Sequence, residues 1–190
     1  MVGTVFLTSI VVQTVLGYSA IRAGVAFVPF ALAITVGVVA RHAMAQGTPR
    51  AIAAIGLVIV AGGAVLLAQA FAGSSFVTGV LPGLAIIGLG VGMVLAPVSV
   101  TAMAGIPSQH ARMPSGFPMT GHEVGAALGV AVLSAVASTA GSLASAAGVV
   151  NGFGPGFHAA AVIAALLAVF AYLRLPATRV EGGAGMHMHH

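Results

Sequence analysis

The scarcity of charged side chains constrains the fold of this chain more than any other feature. Only 4% of its 190 residues are charged, whereas about a quarter are charged in an ordinary soluble domain. Hydrophobic residues make up 59% of the chain, so it cannot supply the polar surface that a soluble fold needs. Its long apolar runs exclude intrinsic disorder. The sequence therefore predicts a polytopic membrane protein.

The positive net charge does not indicate a protein that binds nucleic acid. The formal charge of +4 comes from six basic and two acidic residues, and the Arg residues are scattered along the chain without forming a basic patch. The absence of Cys excludes a disulfide framework and a thiolate metal site. The absence of Lys excludes a Walker A loop. We expect no cofactor, no metal site and no catalytic residues.

Six apolar segments are visible along the chain. Because lipid permits only helices or closed barrels, and no period-2 alternation is present, all six are predicted to be α-helices. The first, residues 2–16, is short for about 30 Å of hydrocarbon and looks like the end of a helix whose beginning is missing or frayed. The five full-length spans are expected at residues 22–40, 51–71, 76–98, 115–140 and 157–175. The predicted fold is an all-α transmembrane domain over residues 1–176, followed by a disordered tail over residues 177–190.

The distribution of Arg predicts the orientation of the chain. Five of the six Arg lie on the side that holds residues 41–50, Arg112 and the C-terminal tail, and Arg22 lies on the other side. Because cytoplasmic loops carry an excess of basic residues, the first side is predicted to be cytoplasmic. Both termini would then lie in the cytoplasm, and the protein would reside in the cell (inner) membrane.

Two glycine motifs predict close contacts between helices. Gly88, Gly90 and Gly92 lie in the apolar segment predicted at residues 76–98, and Gly125 and Gly129 lie in the one predicted at residues 115–140. Glycines spaced by four residues let helix backbones approach each other in lipid. A dinucleotide-binding site is excluded, because no strand accompanies these glycines.

His122 and Glu123 are the most informative polar pair. They lie about 12 Å from the predicted cytoplasmic start of their helix, at a depth where ionisable groups are costly. A zinc protease would need a second His at position 126, which is Ala. Two readings stay open for the pair: handling of protons or substrate in an aqueous cavity, or a polar contact that fixes helix packing. Gln69 could equally line a cavity or bond to a neighbouring helix.

Several short strings of the chain carry a family resemblance. They lie at residues 15–24 (VLGYSAIRAG), 27–29 (FVP), 80–93 (VLPGLAIIGLGVGM), 115–117 (SGF), 120–131 (TGHEVGAALGVA) and 156–158 (GFH). Together they resemble the C-terminal half of major facilitator superfamily transporters, and most closely the 14-helix drug/proton antiporter group of the EmrB/QacA type. The resemblance covers the chain to about residue 176, and the order of the strings makes it specific.

The resemblance implies a membrane transporter that works by alternating access between two halves. Only the last five helices of the C-terminal half and the end of a sixth are represented, so the chain looks like a fragment or a truncated product. Its expected partners are the lipid bilayer, protons, a small lipophilic or cationic substrate, and either the missing N-terminal half or a second copy. We expect no enzymatic activity. The alternative is a non-transporting truncated membrane protein or scaffold.

The resemblance also implies roles for particular residues. Residues 41–50 resemble the cytoplasmic gating loop of the family, with Arg41, Gly47 and Arg50 as its expected gating residues, although Gln46 stands where the family carries a basic residue. The hypothesis for the substrate and proton pathway assigns Glu123 to attract cations or share a proton. The residues expected to line this pathway are Gln69, Thr120, His122 and Glu123.

Overall fold

The computed structural model describes residues 1–43, 47–70, 75–104 and 116–175. Within these ranges it contains five helical segments that are long and apolar enough to cross a membrane, and one shorter apolar helix, Val2–Thr14. None of the described residues forms a strand. The predicted all-α bundle of five spans and a short first helix is therefore confirmed. The predicted tail and the loop containing His110 and Arg112 lie outside the described residues.

The helices are numbered here in chain order. The second and third together form the first full span, Ala20–Arg41, and a π-helical turn, Phe76–Val80, leads into the fifth. The helices are α1 (Val2–Thr14), α2 (Ala20–Ala26), α3 (Val28–Ala43), α4 (Pro49–Gln69), α5 (Leu81–Ala104), α6 (Gly116–Ala140) and α7 (Ala146–Arg174).

The turn between α1 and α2 is fixed by backbone geometry and by ring contacts. Gly17 has a φ of 65°, in the left-handed region that favours glycine. Ser19 caps α2, because its hydroxyl oxygen accepts a hydrogen bond from the Arg22 N–H at 3.3 Å. The Arg22 guanidinium lies 4.0 Å from the Tyr18 ring centroid, and that ring packs 6.0 Å from the Phe76 ring. These ring contacts therefore connect the turn to Phe76, the first residue of the π-helical turn before α5.

The bundle is organised around α4, α5 and α7. Helix α5 packs against α3 and α4, α4 packs in turn against α7, and α7 contacts α6 and α1. Phe153 and Phe157 of α7 are almost fully buried, with ring centroids 4.4 Å apart. Leu67 of α4 and Ile87 of α5 are fully buried in the same core. Helix α6 lies at the edge of this arrangement.

The last helix begins earlier than the sequence predicts. Its start is predicted at residue 157, yet α7 begins at Ala146. The Ser145 hydroxyl caps it by accepting a hydrogen bond from the Gly148 N–H at 3.2 Å. The prediction that residues 146–156 form a connection is therefore wrong. As a consequence His158 lies inside α7 rather than at its start, with its Nδ1 2.8 Å from the Gly154 carbonyl oxygen.

Packing explains why α7 continues through residues that normally interrupt a helix. Gly152 lies against the Ala137 backbone of α6 so closely that an added Cβ would collide with the Ala137 carbonyl oxygen. A Cβ at Gly156 would lie 2.9 Å from Leu7 Cδ1. These glycines serve close helix packing rather than a loop. Pro155, which lies between them inside the helix, is tolerated because tertiary contacts override local propensity.

Candidate functional site

The polar pair of α6 lies near the beginning of that helix. Glu123 is about 10 Å along the helix axis from Gly116, the first residue of α6. His122, Glu123 and Thr120 are all exposed in the bundle. Because successive helical residues are rotated by about 100°, His122 and Glu123 project toward different sides of α6. Although adjacent in sequence, they do not form one site.

Thr120 and Glu123 share a face of α6, because residues three apart are neighbours on a helix. Val124 and Leu128 continue this exposed surface, since the two residues are 53% and 61% exposed. Among the described ranges, Glu123 is the sole acidic residue. The outward face of α6 therefore combines one carboxylate and one hydroxyl with large apolar side chains. Such a surface suits a ligand that is both apolar and cationic.

His122 lies at the edge of a cavity of about 500 Å³. Its walls come from α1, α4, α5, α6 and α7 and are mainly apolar, with Leu57, Val94 and Ala164 among them. His122 is the one titratable side chain among the described residues that line the cavity. Thr120 and Glu123 do not border it. The structure thus divides the predicted pathway residues of α6 between a cavity and an exposed face.

Gln69 lies in a different part of the bundle. It is the last residue of α4 and borders a separate hollow of about 290 Å³, together with Thr78 and Pro82. The α4 residue of the larger cavity nearest to Gln69 in sequence is Val60, about 14 Å away along the helix. The structure therefore does not bring Gln69 together with His122 or Glu123.

The predicted gating loop lies between α3 and α4, and its residues 44–46, which include Gln46, lie outside the described residues. Arg41 lies in the last turn of α3, Gly47 precedes α4, and Arg50 lies in the first turn of α4. The Arg50 guanidinium carbon is 5.2 Å from the centroid of the Tyr172 ring in α7, within the range of a cation–π contact. Tyr172 was not among the functional residues predicted from the sequence. Its position near the end of an apolar span, where aromatic residues are enriched, was the available signal.

The glycines of α5 lie at close backbone contacts on two sides of that helix. A Cβ added to Gly88 would lie 2.7 Å from the Phe30 carbonyl oxygen of α3, and one added to Gly90 would lie 2.5 Å from the Gly56 carbonyl oxygen of α4. Gly92 lies against the backbone of α3. Helix α5 therefore has little room for a side chain at any of these positions.

The glycines of α6 have different surroundings. Among the described residues, no atom of another element lies within 4 Å of a Cβ built on Gly125 or Gly129, and both glycines line the large cavity. The predicted packing of Gly125 therefore has no counterpart within the described residues. Gly129 does meet a neighbour through its backbone, since a Cβ on Gly3 of α1 would lie 2.7 Å from the Gly129 carbonyl oxygen.

No group of three or more potential metal ligands occurs among the described residues.

No protein-family model matches the chain. The chain is 33% identical, over 103 residues, to an MFS-type transporter of Mycobacterium tuberculosis named EfpA and described as uncharacterized. It is 32% identical, over 120 residues, to the puromycin resistance protein pur8 of Streptomyces alboniger.

Each similarity covers only part of this chain and only part of the relative. They include 50% and 61% of this chain, but only 18% of EfpA and 24% of pur8. The chain thus spans about a quarter or less of the length of the curated relatives it matches. The relatives are an MFS-type transporter and a resistance protein, and this agrees with the multi-pass helical bundle. Together these observations support a role in membrane transport.

Proposed function

We propose that the chain is the C-terminal portion of a proton-coupled multidrug efflux transporter of the major facilitator superfamily, in the drug/proton antiporter group of the EmrB/QacA type. The observation that carries the proposal is the similarity to an MFS-type transporter and to a resistance protein. The five apolar spans support it. The intact transporter would work by alternating access in the inner membrane. Both termini of this chain would lie in the cytoplasm.

The outward face of α6 is the proposed substrate and proton surface. Glu123 would attract a lipophilic cation or hold a proton, since a carboxylate at membrane depth gains from either partner. Thr120 would accept or donate a hydrogen bond on the same face, and Val124 and Leu128 would contact the apolar part of the substrate. His122 would act from the neighbouring cavity. Gln69 would contact the substrate only near the far end of the bundle.

The loop between α3 and α4 is the proposed cytoplasmic gate. Arg41 and Arg50 would bind the other half of the transporter when the cytoplasmic side closes, and Gly47 would let the loop bend. The contact between Arg50 and Tyr172 supports this role, because it holds the Arg50 side chain against α7 rather than leaving it extended in solvent. The closely packed glycines of α5 would keep α3, α4 and α5 moving as one body.

Efflux of a fluorescent lipophilic cation from proton-loaded vesicles tests the proposal. Vesicles would carry this chain alone, this chain with the N-terminal half of a related transporter, or the latter pair with Glu123→Gln. Ser138→Ala is the matched control, because Ser138 is also exposed on α6 but lies about 22 Å further along the helix. We expect efflux only with the partner half, its loss in the Gln variant and its retention in the control.

The same experiment distinguishes the alternative function. If the inserted and folded chain supports no efflux with any partner half, the protein is a non-transporting scaffold or truncation product. Efflux that is unchanged by Glu123→Gln would show that transport does not use the α6 carboxylate.

A further inference from the structure

The contact between Arg50 and Tyr172 lies at one end of a seam between α4 and α7. Arg50, near the start of α4, lies beside Tyr172, near the end of α7. Near the end of α4, the Ala68 carbonyl oxygen lies 3.5 Å from the Cβ position of Gly154. The two helices are therefore antiparallel. On each helix the two contacts are separated by 18 residues, or about 27 Å, so the seam crosses most of the hydrocarbon layer of about 30 Å.

An apolar strip follows this seam from the Arg50 end. Residues at helical spacing on the two helices form it, and all of them are partly or fully exposed. Its three valines are each 59% exposed. The strip extends about 16 Å from the level of Arg50, close to the depth of about 15 Å that the acyl chains of one leaflet occupy. We call it the α4–α7 strip, and it consists of Ala54, Val58 and Ala61 of α4 and Val162, Ala165 and Val169 of α7.

The Arg50 guanidinium has no anionic partner among the described residues. Glu123 is the sole acidic side chain in that part of the chain, and it lies on α6, which does not pack closely against α4. Arg50 is half-buried, and its guanidinium lies over the Tyr172 ring. The guanidinium N–H groups lie in the plane of the group, where they can donate to two oxygens of one oxyanion. A cation in this position at the end of an apolar strip suits a ligand that is anionic at one end and apolar along its length.

We propose that Arg50, Tyr172 and the α4–α7 strip bind an anionic phospholipid, with its phosphate at Arg50 and an acyl chain along the strip. Basic sites between transmembrane helices at the membrane surface bind lipid head groups. Two features favour a phospholipid over a free anion: Arg50 lies at the end of a membrane span, where bilayer phosphates lie, and the strip continues from it for the length of one acyl chain.

The lipid site goes beyond the proposed function and depends only on insertion of the chain in a membrane. It connects with that function at one point, because Arg50 is also a residue of the proposed gate. A bound lipid would hold the Arg50 guanidinium on α7 and would compete with the other half of the transporter for it. Anionic lipid would then favour the state in which the cytoplasmic side is open.

Quenching of a single Trp by brominated lipids tests the site, since the chain has no Trp of its own. Val169→Trp places the reporter on the strip, one turn from Tyr172. Val36→Trp is the matched control reporter, because Val36 is 55% exposed but lies on α3, which does not pack closely against α7. Each protein would be inserted in phosphatidylcholine vesicles that contain either brominated phosphatidylglycerol or brominated phosphatidylcholine.

We expect the Val169→Trp reporter to prefer phosphatidylglycerol by about fivefold, which corresponds to about 1 kcal/mol for one basic residue at a membrane surface. The Val36→Trp reporter should show almost no preference. Adding Arg50→Gln to Val169→Trp should remove the preference, and Arg50→Lys should keep part of it because the charge remains. The Lys variant keeps the test informative if the Gln variant does not fold.

Arg22→Gln is the matched control for the loss of charge. Its guanidinium also lies over a Tyr ring, at 4.0 Å from the centroid, but it is exposed and belongs to the turn before α2. Arg22→Gln should leave the preference at Val169→Trp unchanged. An equal loss with Arg22→Gln and Arg50→Gln would overturn the proposal, because net charge alone would then explain lipid binding. Equal quenching by both lipids at Val169→Trp with Arg50 intact would also overturn it.

Soluble glycerol phosphate separates a lipid site from a site for free phosphate. In tenfold excess over the brominated phosphatidylglycerol, it should leave the quenching of Val169→Trp unchanged, and loss of the preference would show that the site binds free phosphate instead. None of these readouts depends on transport. Failure here would therefore leave the proposed function intact, and failure of efflux would leave the lipid site intact.

Discussion

Replacement of Gly90 by Ala tests whether the bundle depends on close backbone contact between α5 and α4. The added Cβ would lie 2.5 Å from the Gly56 carbonyl oxygen and 2.8 Å from a Val60 side-chain carbon. Ordinary van der Waals contact begins at 3.4 Å, so the two helices would have to separate. Because α4 also packs against α7, the displacement would extend beyond one pair of helices.

The expected magnitude follows from two opposing effects. Overpacking of a close contact costs about 1–3 kcal/mol, whereas replacing Gly by Ala inside a helix gains up to about 1 kcal/mol. We therefore expect Gly90→Ala to lower the free energy of unfolding by about 1–2 kcal/mol. The measurement is the unfolding equilibrium in mixed detergent micelles, followed by helical circular dichroism as the denaturing detergent is increased.

Gly62→Ala is the matched control for this substitution. Gly62 also lies inside a helix, α4, but within the described ranges no atom of another element lies within 4 Å of its Cβ position. It should therefore show the helix-propensity gain without the overpacking loss and leave stability unchanged or slightly raised. If Gly90→Ala were as stable as Gly62→Ala, close α4–α5 packing would not be a determinant of this fold.

Two further substitutions test local contacts with the same unfolding assay. Tyr172→Leu should remove the cation–π contact to Arg50 and destabilise the bundle by about 0.5–1 kcal/mol; Tyr172→Phe keeps an aromatic face and should lose much less, and equal losses would contradict the contact. Gly17→Ala should cost about 1–2 kcal/mol because its φ of 65° is unfavourable for a residue with a Cβ. Beyond the two neighbouring residues, no atom of the described part of the chain lies within 4 Å of that Cβ position, so a neutral result would mean that the turn can adopt another conformation.

The sequence was sufficient to predict five membrane spans, a short first helix and their helical type, because long apolar runs in lipid have few other solutions. The sequence was insufficient to predict the residue at which α7 begins. Gly152 and Pro155 resemble loop residues locally, and only the approach of Ala137 from α6 explains why the helix includes them. Helix boundaries of this kind depend on a neighbour that is distant in sequence.

The two glycine motifs show that the sequence also could not predict what packs against a helix face. Their spacing is alike, yet Gly90 is enclosed by α4, whereas Gly125 faces an open groove. The spacing identifies a helix face suited to close approach, but not what approaches it. Similarly, adjacency in sequence suggested one site for His122 and Glu123, and helical rotation separates them.

The division between packed and exposed helices suggests why the proposed substrate surface lies on α6. Helix α5 has no charged residue, and around Gly88, Gly90 and Gly92 it is enclosed between α3 and α4, so a polar side chain there would be buried without a partner and would be costly. Helix α6 buries Leu133 and Ala137 toward its end, while the turns around Glu123 are exposed. A carboxylate at that position can exchange protons or ligands without disturbing the core. Substitutions on the outward face of α6 should therefore alter transport far more than stability, and substitutions of the α5 glycines should do the reverse.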